Sequence, residues 1–353
     1  MEIISSFISV LNNIWPYVVA VLVFIVLIII HEFGHFIAAK ALGVRVNEFA
    51  VGFGPKLFAK QWGETTYKVN LIPLGGYCAM EGEDEDSTDE KAFCNKKAWR
   101  RFVIVVAGAL FNLILGVILV AVSLAPGKYF ATTTVAQFAD DAVSVNSGLK
   151  VGDEIIAVDT RKIYTTYDLS YAFMGISDGM VDITVLRDGK KVTLNDVTFK
   201  TEKLEGVDYI SVDFWVEPEE KTFFNYVKQT VKNTISYARV VWFSLIDLIG
   251  GRFGLNAVSG PVGVTAAIGS AAKANIMNLI PIMALITINL GIFNLLPIPA
   301  LDGGRLLFIL FEMIFRKPVP QKFEGIVHTV GFVLLFGFMI LITFKDIWKL
   351  IME

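Results

Sequence analysis

Cysteine and histidine are nearly absent from this chain, with two and three copies among 353 residues. Cys78 and Cys94 fall in one short segment, so no disulfide framework organises the fold. Charge is scarce too: Asp, Glu, Lys and Arg make up 18% of the residues, and 31 basic against 34 acidic side chains leave a formal net charge of -3. Without a basic excess the chain lacks the electrostatic footprint of a nucleic-acid binder. What is present is apolar. Hydrophobic residues reach 54% and the mean hydropathy is +0.60, so a bilayer rather than water is the expected solvent.

A membrane span needs roughly 20 mostly apolar residues, and four stretches qualify: about 15–37, 102–125, 277–297 and 324–345. The run Val18 to Ile30 continues into His31-Glu32 without a small-residue cleavage site, and residues 1–14 contain no Lys or Arg. A retained helix is therefore expected instead of a signal peptide. Lys91, Lys96, Lys97, Arg100 and Arg101 precede the second span, and Arg305, Arg316, Lys317 and Lys322 separate the third from the fourth. By the positive-inside rule those two connections are cytoplasmic, and both termini and the long connection around 128–220 lie outside. That long connection carries short β-prone runs and turns, such as Val181 to Leu186 before Arg187-Asp-Gly189, and reads as a separate small domain. Residues 44–80 combine glycine breaks with the alternating Thr65 to Leu71 and read as β-hairpin structure. Glu81 to Asp86 reads as a solvated acidic loop, with a cation site as the sharper alternative.

His31-Glu-Phe-Gly-His35 is an H-E-x-x-H pattern. Residues four apart on a helix lie about 40° apart around its axis, so both imidazoles face one metal. Position sharpens the signal, because ionisable groups at the end of an apolar run are costly unless functional. A catalytic zinc takes three protein ligands and keeps one position open. Asp302, in Leu301-Asp-Gly-Gly-Arg305, is the leading third ligand as the only acidic residue near the third apolar run. A helix-end carboxylate paired with Arg305 is its plain alternative. His328 is a competing ligand, although a hydrogen bond to a neighbouring helix explains it as well. Asn294 precedes Pro297 and Pro299, where the helix should loosen, and is placed to meet a substrate carbonyl or developing oxyanion; a helix-to-helix hydrogen bond is the alternative.

The sequence resembles the bacterial site-2 protease family, intramembrane zinc proteases that cut membrane-spanning substrates. The resemblance runs along nearly the whole chain. It is carried by His31 to His35, Gly52-Phe-Gly-Pro55, Ile72-Pro-Leu-Gly-Gly-Tyr77, Gly108-Ala-Leu-Phe-Asn112, Ser259-Gly-Pro-Val-Gly263 and Asn294-Leu-Leu-Pro-Ile-Pro-Ala-Leu-Asp-Gly-Gly304. It implies one Zn2+ per chain held by His31, His35 and Asp302, with Glu32 as the general base acting on the attacking water. It further implies substrate contact by Asn294 and by Gly52, Phe53 and Gly54 of the hairpin.

The expected architecture is a polytopic α-helical membrane protein with four transmembrane helices and a membrane-associated β-hairpin region, and the resemblance implies one inserted extracytoplasmic PDZ-like α+β domain, whose pattern Ala142 to Asp159 resembles. Its expected divisions are a first half of the protease core at 1–127, the PDZ-like domain at 128–202, a linker and amphipathic region at 203–276, and the second half of the core at 277–353. The resemblance implies a bacterial cytoplasmic membrane, an active site near its inner side, and single-span substrates such as anti-sigma factors or remnant signal peptides. It also implies peptide ends as ligands of the PDZ-like domain, and nothing points to nucleic acid as a partner. Two other readings remain at this point: a metal-ion-binding membrane transporter, and a PDZ membrane scaffold with a relic metal site.

Overall fold

The computed structural model describes residues 2–83, 85–204, 207–254 and 258–352. Asp84 of the expected acidic loop, and residues 205–206 and 255–257 of the expected linker, lie outside the described residues. The chain forms two compact units, one of residues 1–116 and 259–353, the other of 117–258.

The first unit is helical. Helices α1 (Glu2–Ala41), α2 (Ala98–Leu124), α6 (Leu279–Leu295) and α8 (Gln321–Met352) supply four stretches long and apolar enough to cross a membrane. In lipid a helix satisfies its own backbone, which leaves packing to small residues that let helices approach. Gly34 of α1 shows this: a Cβ there would lie 2.4 Å from the Ala107 carbonyl of α2. Likewise a Cβ on Gly116 of α2 would meet Ile288 of α6 at 2.4 Å. Two shorter helices, α5 (Pro261–Ala274) and α7 (Asp302–Phe315), complete the unit. Leu27 and Ala20 of α1 pack with Ile268 and Ala272 of α5, and the Asp346 carboxylate of α8 accepts the Gly260 and Gly263 amides at 2.8 and 2.9 Å, satisfying the open N-terminus of α5.

Between α1 and α2, β1 (Val46–Trp62) and β2 (Thr65–Met80) form the expected hairpin, turning at Gly63. Its pairing is more elaborate than a two-stranded ribbon. Phe49 pairs with Cys78 on one side and Tyr67 on the other, so the first half of β1 sits between two halves of β2. This leaves residues 76–80 paired on one side only among the described residues.

The second unit is built on a sheet of order β10-β3-β4-β6-β7, with β5 beside β4. Its strands are β3 (Tyr129–Phe138), β4 (Glu154–Val158), β5 (Arg161–Lys162), β6 (Met180–Arg187), β7 (Lys190–Thr198) and β10 (Phe214–Glu220); β8 (Thr201–Leu204) and β9 (Val207–Ile210) form a separate hairpin. The sheet therefore continues past residue 202. Alternating apolar residues such as Ile183, Val185 and Val197 fill one core with Leu149, Phe173 and Phe199. Helix α3 (Thr166–Ala172) begins in a capping box formed by Thr165 and Asp168. Helix α4 (Phe223–Ile249) is then held to this unit by charge: the buried Asp168 receives Ser236 and Arg239, and the buried Asp247 receives Arg161 and Tyr171.

Candidate metal centre

The first two donors come from the last third of α1, where His31 and His35 stand one turn apart with ring centroids 4.9 Å apart. The space they need is made by α2. A Cβ on Gly108 would lie 2.3 Å from His35 Nε2 and 2.9 Å from His31 Cε1, so only glycine at this level lets α2 pass beneath both rings. His35 is buried and its Nδ1 donates to the Ile104 carbonyl of α2 at 2.9 Å. That bond fixes the tautomer with the lone pair on Nε2, the usual arrangement of a metal-binding imidazole.

The third donor comes from Asp302, the first residue of α7. Helix α6 ends at Leu295, and residues 296–301 form a turn. Gly303 lets α7 start against this turn, because a Cβ there would overlap the Leu296 carbonyl at 1.8 Å. The carboxylate also benefits from its place at a helix N-terminus, whose open amides favour negative charge. Arg305 does not pair with Asp302; it reaches Glu83 and Glu324 instead.

Asp302 Oδ2 stands 3.0 Å from His31 Nε2 and 3.2 Å from His35 Nε2, and the two nitrogens are 3.3 Å apart. The same Oδ2 is buried with no well-aligned hydrogen-bond donor among the described residues. Three donors around a tetrahedral zinc at bond lengths near 2.0–2.1 Å form a triangle with edges of about 3.3 Å. The triangle found here has that size, and two neutral imidazoles with one carboxylate form a donor set that suits zinc. The residues fit the ion. Among the described residues these three are the group whose donor atoms converge in this way.

Glu32 lies beside the triangle. Together with His35, Asp302, Tyr77, Cys78 and Arg305 it lines a cavity of about 610 Å³. Strand β2 passes over it, and a Cβ on Gly76 would touch Glu32 Cγ at 3.4 Å. The cavity wall also includes Ala79 and Met80, two residues of the half-paired 76–80 segment that lie beyond the Ile72 to Tyr77 motif and that the sequence patterns do not single out.

The remaining residues singled out in the sequence fall elsewhere. Asn294 is in the last turn of α6, partly exposed, and makes no hydrogen bond to the triangle. Gly52, Phe53 and Gly54 lie on β1 outside the cavity wall; Phe53 approaches it through Tyr77, on which its ring stacks at 6.2 Å. His328 is not in the triangle: its Nδ1 accepts the backbone N–H of Ala300 at 3.1 Å.

Comparison with known proteins decides the family. The sequence model of peptidase family M50 matches residues 19–338. The chain belongs to peptidase family M50. Curated relatives agree, each carrying the name "Putative zinc metalloprotease". One from Clostridium acetobutylicum is 38% identical over 333 residues, covering 94% of this chain and 96% of the relative. One from Clostridium perfringens is 37% identical over 333 residues, covering 93% and 97%, and one from Fusobacterium nucleatum is 33% identical over 346 residues, covering 95% and 99%. The M50 chain is accordingly a zinc metallopeptidase of the site-2 protease type, embedded in the bilayer as a multi-pass protein, with Zn2+ as its cofactor.

Proposed function

We propose that the chain is an intramembrane endopeptidase that cuts single-span membrane proteins, with His31, His35 and Asp302 holding the zinc and Glu32 acting as the general base. The observation that carries this reading is the donor triangle at the end of a membrane-spanning helix, with Glu32 in the wall of the same cavity. When bound, zinc supplies Lewis acidity to the attacking water and to the scissile carbonyl. Glu32 takes the proton of that water and later returns it to the leaving amine, so no covalent bond to the enzyme forms. Asn294 donates its amide to the carbonyl oxygen as charge develops there.

A transmembrane substrate must give up helical hydrogen bonds before its carbonyl is open to attack. The side of residues 76–79 not paired with β1 offers replacements, the Met80 N–H beyond them being given to the Glu83 carboxylate: an extended segment adding there gains backbone hydrogen bonds within the wall that contains Glu32. The Gly52-Phe-Gly54 stretch of β1 supports this wall through the contact of Phe53 with Tyr77 and clamps the segment beyond it. A transporter or a scaffold gains nothing from a carboxylate beside the metal ligands, which favours the hydrolytic reading.

The same proposal divides the chain into two halves of a membrane core around a PDZ-like domain that begins near residue 128. The basic residues flanking the spans put that domain and both termini outside, and the metal near the inner face. Peptide ends would add to its edge strand β10 beside β3. Anti-sigma factors shortened by an earlier cut and remnant signal peptides have the required form. The test is a panel of single-span substrates with progressively shorter outer domains, incubated with the detergent-purified chain. Cleavage confined to or near the span, and faster for trimmed substrates, is expected. Cleavage of soluble unfolded peptides alone would overturn the assignment.

A further inference from the structure

His31 and His35 both present Nε2 to the triangle, and each is fixed from behind through Nδ1. For His35 the partner is the Ile104 carbonyl. For His31 it is the side chain of Asn112, a fully buried residue of α2 whose Nδ2 stands 3.3 Å from His31 Nδ1. The Oδ1 of the same amide is buried without a hydrogen-bond partner among the described residues.

This pairing has a chemical consequence. An amide nitrogen only donates, so with Nδ2 toward the ring Nδ1 must hold the lone pair and Nε2 must carry the hydrogen. A protonated Nε2 cannot bind a metal. Half a turn of the amide, which leaves its outline unchanged, brings Oδ1 to Nδ1 and reverses the assignment. We propose that Asn112 is a positioning residue for His31: its Oδ1 accepts the Nδ1–H and holds the ring in the tautomer and orientation that free Nε2 for zinc. The inference rests on His31 being a zinc ligand. It also explains the spacing within Gly108-Ala-Leu-Phe-Asn112. Gly108 makes room beneath both rings, and Asn112, one turn further on the same face of α2, meets the far nitrogen of His31. The Asn112 backbone is held in turn, because Thr287 Oγ1 of α6 donates to its carbonyl at 3.1 Å.

The test uses the full chain, loaded with zinc in detergent, and reads the rate of zinc transfer to a chromophoric chelator. Asn112→Leu keeps the volume and removes the acceptor, and should release zinc about 10–100-fold faster. Asn112→Asp keeps an acceptor in place and should release it no faster than the parent. His31→Ala is the reference arm. If His31→Ala holds zinc at the parental rate, the ligand assignment fails and Asn112 with it. If His31→Ala loses zinc while Asn112→Leu does not, the role of Asn112 alone is overturned, and equal losses in the Leu and Asp variants would reduce it to packing. A measurement without variants guards against failure to fold. The chain has only three histidines, so the nitrogen spectrum of zinc-loaded, 15N-histidine-labelled protein should resolve His31 with Nδ1 protonated. An unprotonated His31 Nδ1 would contradict the proposal.

Discussion

His328 Nδ1 accepts the backbone N–H of Ala300, two residues before Asp302, at 3.1 Å. Ala300 has a φ of 76°, a left-handed conformation costly for a residue with a Cβ. A histidine that looked like a rival metal ligand thus serves the turn that delivers the carboxylate. His328→Ala should retain bound zinc but weaken its affinity by up to about tenfold, the equivalent of one net hydrogen bond. Asp302→Asn should lower zinc content outright. Metal analysis of the two purified variants distinguishes these outcomes, and the reverse result would make His328 the ligand.

Gly108 yields a sharper prediction. Because a Cβ there would sit 2.3 Å from His35 Nε2, Gly108→Ala must displace the imidazoles or push α2 away. A shift of about 1 Å at a catalytic site costs on the order of 100-fold in rate. The variant should insert into the membrane normally, carry less zinc and lose activity to that extent. Parental zinc content and turnover would show that the helices separate without consequence.

The attachment of α4 to the second unit is testable apart from catalysis. Burial pushes the Tyr171 hydroxyl pKa up, and its hydrogen bond to Asp247 adds to this, so it stays a donor at neutral pH. Asp247→Asn removes the charge to which Arg161 and Tyr171 donate and should destabilise this attachment by about 1.5–3 kcal/mol. Hydrogen exchange should then speed up over α4 and α3 and remain unchanged at His31. A second bond has a pH signature. The Glu219 carboxyl is held below its ordinary value, chiefly by the Gln229 amide and then by Lys228. A depressed carboxyl contributes its stability fully above the unfolded value of 4.5 and loses it as pH falls toward the folded value. Protection at the start of α4, taken relative to the intrinsic exchange rate at each pH, should therefore fall below pH 4.5 in the parent, and Glu219→Gln should flatten that dependence.

For topology, a cysteine replacing exposed Lys191 next to the β6–β7 turn should react in intact cells with a reagent that cannot cross the membrane, in a background lacking Cys94. Lys191 is chosen over Gly189 in the turn itself, whose φ of 75° favours glycine and would strain a cysteine. A cysteine at Asp86 should stay unlabelled. Equal labelling of both would overturn the orientation drawn from the basic residues.

The legible parts of the sequence were those fixed by local periodicity. His31 and His35 share a helix face by spacing alone, and the four apolar runs needed only to be counted. Asp302 was legible as a lone acidic residue near an apolar run, but the helix it begins was not: α7 follows prolines and carries Arg305, which reads as a connecting loop. The seat for Gly303 depends on the Leu296 carbonyl across a turn, and no pattern in sequence shows that overlap. Long-range pairing was equally hidden, as in β1, which pairs on both sides. Strand β10 contains Pro218, which reads as a break; it is tolerated because β10 is an edge strand whose backbone amides need not all be paired. The link between Asn112 and His31 spans 81 positions, which local spacing cannot reveal.

The central claim is that Glu32 moves the proton while the triangle of His31, His35 and Asp302 holds the metal. Glu32→Gln separates the two roles, since it removes the base and leaves all three donors in place. The most direct measurement is zinc content and cleavage of one trimmed single-span substrate on the same purified sample. The account predicts parental zinc and no detectable cleavage. Parental zinc with substantial turnover would contradict it.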